Sequence, residues 1–141
     1  MDHPKNIEQK FNDLLNELEQ HIVADHLNGK LADYKPLFGK RELNEGQYVI
    51  KENGVYQLWY TERGESGKII ESANMDDVLY LLFEGITQSL VTTFESRNRN
   101  PKSIDTRRDW FPLQEELMGH LSTEWREKLH RKLSKLLEAA D

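Results

Sequence analysis

The pair Asn53-Gly54 stands between two runs of β-branched and aromatic residues. Asn-Gly is the preferred pair for a two-residue type I′ turn, since both central residues of that turn take positive φ. A turn of this length also sets the register of the hairpin, and it places Tyr48 opposite Trp59. The sequence therefore predicts an antiparallel hairpin around this pair.

Both faces of the predicted hairpin are apolar. One face carries Val49, Tyr56, Leu58 and Tyr60, and the other carries Tyr48, Ile50, Val55 and Trp59. Either helices cover both faces, or one face is a surface for a partner. Residues 63–67 predict a second turn and residues 68–72 a short third strand, which completes a meander over residues 46–72.

Helical periodicity dominates the rest of the chain. Apolar residues three and four positions apart predict an amphipathic helix from about residue 5 to residue 29. Residues 74–97 are apolar nearly all round, which is typical of the buried helix at the centre of a domain. Two further helices are predicted over residues 105–120 and after the capping residue Ser122. Residues 30–45 show no clear periodicity and are expected to form a connector.

Together these elements predict an α+β fold in a single domain over residues 1–141. An N-terminal amphipathic helix (1–29) and a connector (30–45) precede a three-stranded antiparallel meander (46–72). The helical part (73–141) follows, with three helices of which the first is the buried central one.

Composition excludes several classes of protein. The chain has no cysteine, so disulfide scaffolds, thiolate zinc sites and cysteine nucleophiles are excluded. No apolar run approaches the roughly 18 residues of a membrane-spanning helix, and no signal peptide opens the chain, so we expect a cytoplasmic protein without a membrane partner. The net charge of −6 lies mostly on residues 1–29, with six acidic against two basic residues. An acidic surface attracts basic partners, although a solvated helix face is the simpler interpretation.

Patterns that suggest a ligand site lack the residues their chemistry requires. Residues 64–68 resemble the end of a phosphate-binding loop, but Glu62 replaces its first glycine and Ile69 its Ser or Thr. The histidines lack the spacing of a helical zinc motif. His21 and Asp25 could meet on one helical face, but two ligands do not make a site. We therefore predict no metal and no cofactor.

The C-terminal helix is the one candidate for contact with nucleic acid. Its basic residues are Arg126, Lys128, Arg131, Lys132 and Lys135. Acidic residues lie between them and the overall pI is near 5.4, whereas nucleic-acid-binding domains are usually basic. Cations late in a helix also complement the helix dipole. We therefore predict no nucleic-acid partner.

The densest cluster of charged residues spans the junction of the second and third predicted helices. Glu95 and Arg99 have the i, i+4 spacing of a helical ion pair. Asp105 stands at the start of the next helix, followed by Arg107 and Arg108. An enzyme could use the two carboxylates as acid and base. We favour a structural clasp of carboxylates and guanidinium groups that ties two helices together, because no nucleophile, metal set or glycine-rich pocket accompanies them. The prediction is a protein without enzymatic activity.

Several short segments carry a resemblance to a known family. They are Tyr56–Gly64, Asp77–Tyr80, Phe94-Glu95 with Arg97-Asn98-Arg99, Asp105–Arg108 followed by Phe111, Gln114 and Glu116-Leu117, and Leu121–Trp125. Through them, roughly residues 46–137 resemble bacterial immunity protein 63, and residues 1–45 lie outside the resemblance. The resemblance implies a cytoplasmic protein that binds and neutralises a toxin encoded beside it, with no chemistry of its own.

The leading hypothesis is an immunity protein that blocks a co-encoded toxin. Many such toxins are nucleases with basic clefts, which an acidic inhibitor would complement. Glu17 and Glu19 would steer the encounter, and Tyr48 and Trp59 on an uncovered sheet face would anchor the complex. The alternatives are a regulatory or scaffold module that binds a cellular protein, and a hydrolase that uses the two carboxylates of the charged cluster. The free protein is expected to be a monomer or a homodimer.

Overall fold

A computed structural model describes residues 4–40 and 45–140 of the chain, and the predicted α+β class is confirmed in them. Two short 3-10 turns, Ala24–His26 and Leu31–Tyr34, lie between the first helix and the first strand. The α-helices and strands within the described residues are α1 (Lys5–Glu19), β1 (Leu37–Phe38), β2 (Gly46–Glu52), β3 (Val55–Glu62), β4 (Glu65–Ser72), α2 (Met75–Arg97), α3 (Arg107–Leu121) and α4 (Thr123–Ala140).

The hairpin of β2 and β3 has the predicted turn and the predicted register. Asn53 and Gly54 have φ angles of 53° and 75°, as a type I′ turn requires. Tyr48 pairs with Trp59. The local chemistry of the turn therefore determines which side chains share a face of the sheet.

The strand β4 begins earlier than predicted. Arg63 and Gly64 have φ angles of 53° and 81°, so a second two-residue turn with positive φ at both positions joins β3 to β4. The predicted five-residue turn over residues 63–67 is therefore wrong, and the strand starts at Glu65.

The sheet has one strand more than the predicted meander. Strands β2, β3 and β4 are antiparallel as expected, but β1 pairs in parallel with β2, with Leu37 beside Tyr48. The strand order is β1-β2-β3-β4. The connector expected over residues 30–45 contains a 3-10 turn and β1 in its described part. Residues 41–44 of that connector lie outside the described residues.

Helix α1 ends well before the predicted boundary. The amides of Gln20 and His21 donate to carbonyl groups three residues back, at 3.2 and 2.9 Å, which closes the last turn. Val23 is then extended, with φ −119° and ψ 167°. His21 and Asp25 therefore do not share a helical face, and that expectation is wrong.

Helix α2 is the buried helix that the sequence predicts. Asn74 Oδ1 accepts the amide hydrogen of Asp76 at 2.9 Å and caps the helix at its N-terminal end. Although α2 is long and apolar, the described helices include none that combines the length and the hydropathy needed to cross a membrane. The buried residues of α2 are Val78, Leu79, Tyr80, Leu82, Phe83, Ile86, Thr87, Leu90, Val91 and Glu95.

Contacts divide the chain into two compact units, each with its own aromatic core. The first unit takes residues up to 13 and residues 32–82, and the second takes residues 14–31 and residues from 83 onward. The predicted single domain stays a prediction. In the first unit the ring centroids of Phe11 and Phe38 lie 5.5 Å apart. In the second unit the ring centroids of Phe83 and Trp125 lie 5.9 Å apart.

Within the second unit, the C-terminal end of α2 holds the 3-10 turn at Ala24–His26. Arg97 Nη1 donates to the carbonyl oxygen of Leu27 at 2.6 Å, and to those of Ala24 and Asp25 at 3.4 Å. Asn98 Nδ2 donates to the Asp25 carboxylate at 3.3 Å. One helix terminus therefore donates hydrogen bonds to the carbonyl groups of this short 3-10 turn and of the residue after it.

Candidate functional site

The two aromatic residues predicted to anchor a partner lie side by side on β2 and β3. The ring planes of Tyr48 and Trp59 are parallel within 3°, with centroids 6.1 Å apart. Tyr48 is only 2% exposed, so the expectation that its face is uncovered is wrong at this residue. Trp59 is partly exposed, and its Nε1 donates to Gln57 Oε1 at 2.8 Å. Of the pair, Trp59 alone reaches the surface.

The two acidic residues predicted to steer a partner lie at the end of α1. Glu17 and Glu19 are both exposed, and Glu17 Oε1 lies 3.3 Å from His21 Nε2. They belong to the solvent side of a helix whose opposite side is buried, as amphipathic patterning requires. Their role in binding stays a prediction.

Glu95 and Arg99 form the ion pair that their spacing predicts. Arg99 Nε and Nη2 donate to the two carboxylate oxygens of Glu95 at 2.9 and 3.0 Å. The Glu95 side chain is 7% exposed and the Arg99 side chain 57%. The hydrogen bond from Arg99, together with its charge, lowers the pKa of Glu95, and the same contacts raise the pKa of Arg99.

Asp105 and Arg107 form a second bidentate pair at the N-terminal end of α3. Arg107 Nε and Nη2 donate to the two carboxylate oxygens at 3.0 and 2.8 Å, and the Arg107 amide donates to Oδ1 at 3.1 Å. These hydrogen bonds, with a smaller contribution from the charge of Arg108, lower the pKa of Asp105. Both ion pairs join residues close in sequence, and the wider clasp between helices that includes Arg108 stays a prediction.

The lowered pKa values bear on the acid–base alternative. A hydrolase with two carboxylates needs one of them protonated near neutral pH, so that it can donate a proton. Arginines instead stabilise the charged form of Glu95 and Asp105, and neither carboxylate is set up to be the acid. The geometry of this cluster favours a structural role.

A depression that sequence reasoning missed lies on β3 and β4. Its volume is about 430 Å³, and its lining includes Tyr60, Gly67 and Ile69. Tyr60 is 42% exposed and Ile69 47%. Gly67 stands directly opposite Tyr60, and that pairing is the sequence signal that could have identified an aromatic ring with no side chain opposite it on β4.

A second cavity lies between α3 and α4, within the second unit. It has a volume of about 240 Å³, an apolar lining that includes Phe111, Leu133 and Leu137, and Arg108 and His130 at its border. These helices pack directly against each other. The cavity is a gap between two helical ridges, with no side chains arranged for chemistry.

Three histidines line a further cavity of about 350 Å³ in the second unit. The rings of His21 and His120 stack 3.7 Å apart. His26 Nδ1 accepts the amide hydrogen of Val23 at 2.9 Å, and burial lowers the pKa of His26. In the part of the chain that the structure describes, no group of three or more His, Asp or Glu side chains could hold a metal ion.

Comparison with known proteins identifies the family. The family model of immunity protein 63 matches residues 52–135, which contain β3, β4, α2, α3 and most of α4. The curated proteins and the solved structures yield no match to this chain. Trp59, both ion pairs and the depression on β3 and β4 lie within the matched residues, and Glu17 and Glu19 lie before them. Since the match covers more than half of the 141 residues, the chain belongs to the immunity protein 63 family.

Proposed function

We propose that this protein binds a co-encoded toxin domain and neutralises it by stoichiometric protein–protein inhibition in the cytoplasm. The observation that carries the proposal is the family match over residues 52–135. An inhibitor of this kind needs a stable surface and no catalytic groups of its own. The arginine-paired carboxylates Glu95 and Asp105 are consistent with that requirement.

Charge supports a basic toxin as the partner. The chain has a net charge of −6, and most of that excess lies on residues 1–29. Opposite charges accelerate diffusional encounter at low salt, and a nuclease that binds a phosphate backbone needs a basic cleft. Glu17 and Glu19, exposed on α1, are the residues we propose for steering.

Trp59 is the residue we propose as an anchor. Tryptophan is enriched among the interface residues that contribute most to binding, because one side chain buries a large apolar area. Replacement of Trp59 by alanine is expected to cost about 2 kcal/mol of binding, or roughly 30-fold in Kd. Trp110 is likewise partly buried and lies on α3, so Trp110→Ala is the matched control.

The proposal is tested by co-expression with the toxin domain encoded beside the gene. We expect the chain to restore growth and to co-purify with the tagged toxin in a fixed molar ratio, measured by light scattering. Reversal of charge at Glu17 and Glu19 to lysine should lower the association rate at low salt. The same reversal at Glu124 and Glu127, exposed on α4, is the control.

The opposite outcome is also informative. If both proteins are folded and neither a complex nor restored growth is seen, the immunity proposal is wrong. The protein would then be better explained as a non-enzymatic module that binds a cellular protein, and capture of such a partner would be the next measurement.

A further inference from the structure

The outer edge of β4 is a surface to which the proposal above assigns no role. β4 is the last strand in the sheet order, and within the described residues its pairing partner is β3. Residues 65–69 are all exposed. An edge strand presents a row of backbone N–H and C=O groups that can pair with another extended chain.

The depression on β3 and β4 gives this edge a place for a side chain. A Cβ atom added to Gly67 would meet no other atom within 4 Å, so the space beside the Tyr60 ring is open. Ile69 borders the same space and lies at the bulge where Leu58 pairs with Ile70 and Trp59 with Lys68. An apolar side chain placed there would contact both exposed residues, Tyr60 and Ile69.

Charge at the same place indicates what kind of segment fits. Glu62 and Glu65 pair directly opposite each other beside the second turn, and both line the depression. The one lysine of the lining, Lys68, donates to Glu71 at 2.6 Å, which offsets its charge. The rim therefore favours a lysine or arginine of the partner.

We propose that β4 receives an extended segment of the toxin domain by strand addition. An apolar side chain of that segment packs against Tyr60 and Ile69, and a basic side chain beside it meets Glu62 and Glu65. Backbone hydrogen bonds supply affinity in this mode, and the side-chain pocket supplies specificity. A second copy of this chain fits less well, because it would bring its own acidic rim and a further net charge of −6. This inference rests on the proposed function, and it assigns toxin binding to the outer edge of β4.

The test uses the full chain and the toxin domain encoded beside the gene. Gly67→Val fills the depression, and Ile69→Lys places a cation where the apolar side chain would pack. Leu136, on α4, is 46% exposed against 47% for Ile69, so Leu136→Lys is the matched control. We expect each β4 variant to weaken toxin binding by about tenfold or more, and the control to stay within about twofold. Circular dichroism and thermal melting would check that all three variants are folded.

Hydrogen exchange gives a second, independent readout. Strand addition should slow the exchange of backbone amides within Glu65–Ser72 when the toxin is bound. The inference would be overturned if the β4 variants bound the toxin like the control and the bound toxin gave this strand no protection. The proposed function would remain intact in that case, provided that the unchanged chain still bound the toxin and restored growth. No binding by the unchanged chain would overturn both. A toxin-free dimer that Gly67→Val disrupts would assign the edge to a second copy instead.

Discussion

Strands β2 and β4 flank the same central strand, yet they are buried to very different extents. In β2 the three consecutive residues Tyr48, Val49 and Ile50 are all buried, so both faces of that strand are covered. In β4 residues 65–69 are all exposed. Both strands pair with β3 over nearly their whole length.

The contrast shows that backbone pairing and burial are separate contributions to a sheet. Strand β2 stabilises the fold through apolar area removed from water, at about 25 cal/mol per Å². Strand β4 contributes its hydrogen bonds to β3 and little apolar burial, and within the described residues no other strand pairs with its outer edge. One side of β3 therefore stabilises the protein, and we propose that the other recognises the toxin.

The strongest test of this contrast compares two isoleucines. Ile50→Ala in β2 removes a fully buried side chain and should lower the free energy of unfolding by about 2–5 kcal/mol. Ile69→Ala in β4 should change it by no more than about 0.5 kcal/mol, because that side chain is largely exposed. Urea unfolding of both variants gives the two values. Equal losses would mean that β4 is part of the core.

A second test asks whether β2 and β4 differ in their contribution to stability because of the turns next to them and not because of burial. Gly54 and Gly64 both have positive φ, so alanine at either site should cost about 1–2 kcal/mol of stability. Gly67 has no positive φ and an open surrounding, and Gly67→Ala should not destabilise the protein. Urea unfolding measures both losses of stability. If alanine cost much more at one turn than at the other, the difference between β2 and β4 would be explained by strain in the turns and not by burial.

A third test concerns the residue beside the second turn glycine. Arg63 has a φ of 53°, a conformation that asparagine tolerates better than arginine. Arg63→Asn should therefore raise the free energy of unfolding by about 0.5–1 kcal/mol, measured by urea titration. Arg63→Lys keeps the charge and the strain, and it should leave stability unchanged.

The smallest expected effect is the pH dependence of β4. The hydrogen bond from Lys68, with the charge of that lysine, lowers the pKa of Glu71 below its ordinary value. Because the folded pKa is the lower one, the stabilisation is fully present above the unfolded pKa of about 4.3. It is lost as the pH falls through the folded pKa. The difference in unfolding free energy between the parent and Glu71→Gln should be constant above about pH 5 and shrink below it. A difference that grows with acidification would contradict this assignment.

Elements with a strong local signal could be predicted from the sequence. The Asn53-Gly54 turn determined the pairing of Tyr48 with Trp59, and the all-round apolar pattern of residues 74–97 identified the buried helix. Elements that depend on distant partners could not be predicted. β1 has two residues, too few for any periodicity, and it exists through its pairing with β2.

The candidate site was predictable to the same limited extent. The spacing of Glu95 and Arg99 is local, and it predicted their ion pair. The burial of Tyr48 was missed because alternation assigns residues to faces and does not say which element covers a face. The depression at Gly67 was missed because the residue was assigned to a turn, where an absent side chain has no consequence for packing.

The hydrogen bonds from Arg97 to the 3-10 turn also affect the order in which the structure can form during synthesis. Arg97 and Leu27 are 70 positions apart, so at roughly 5–20 residues per second the donor is made about 4–14 s after its acceptor. Throughout that interval the carbonyl groups near residue 27 can hydrogen-bond only to water or to other parts of the nascent chain. The segment after α1 therefore reaches its final hydrogen bonding only when the end of α2 has left the ribosome. A truncated chain that stops before Arg97 would lack these hydrogen bonds altogether.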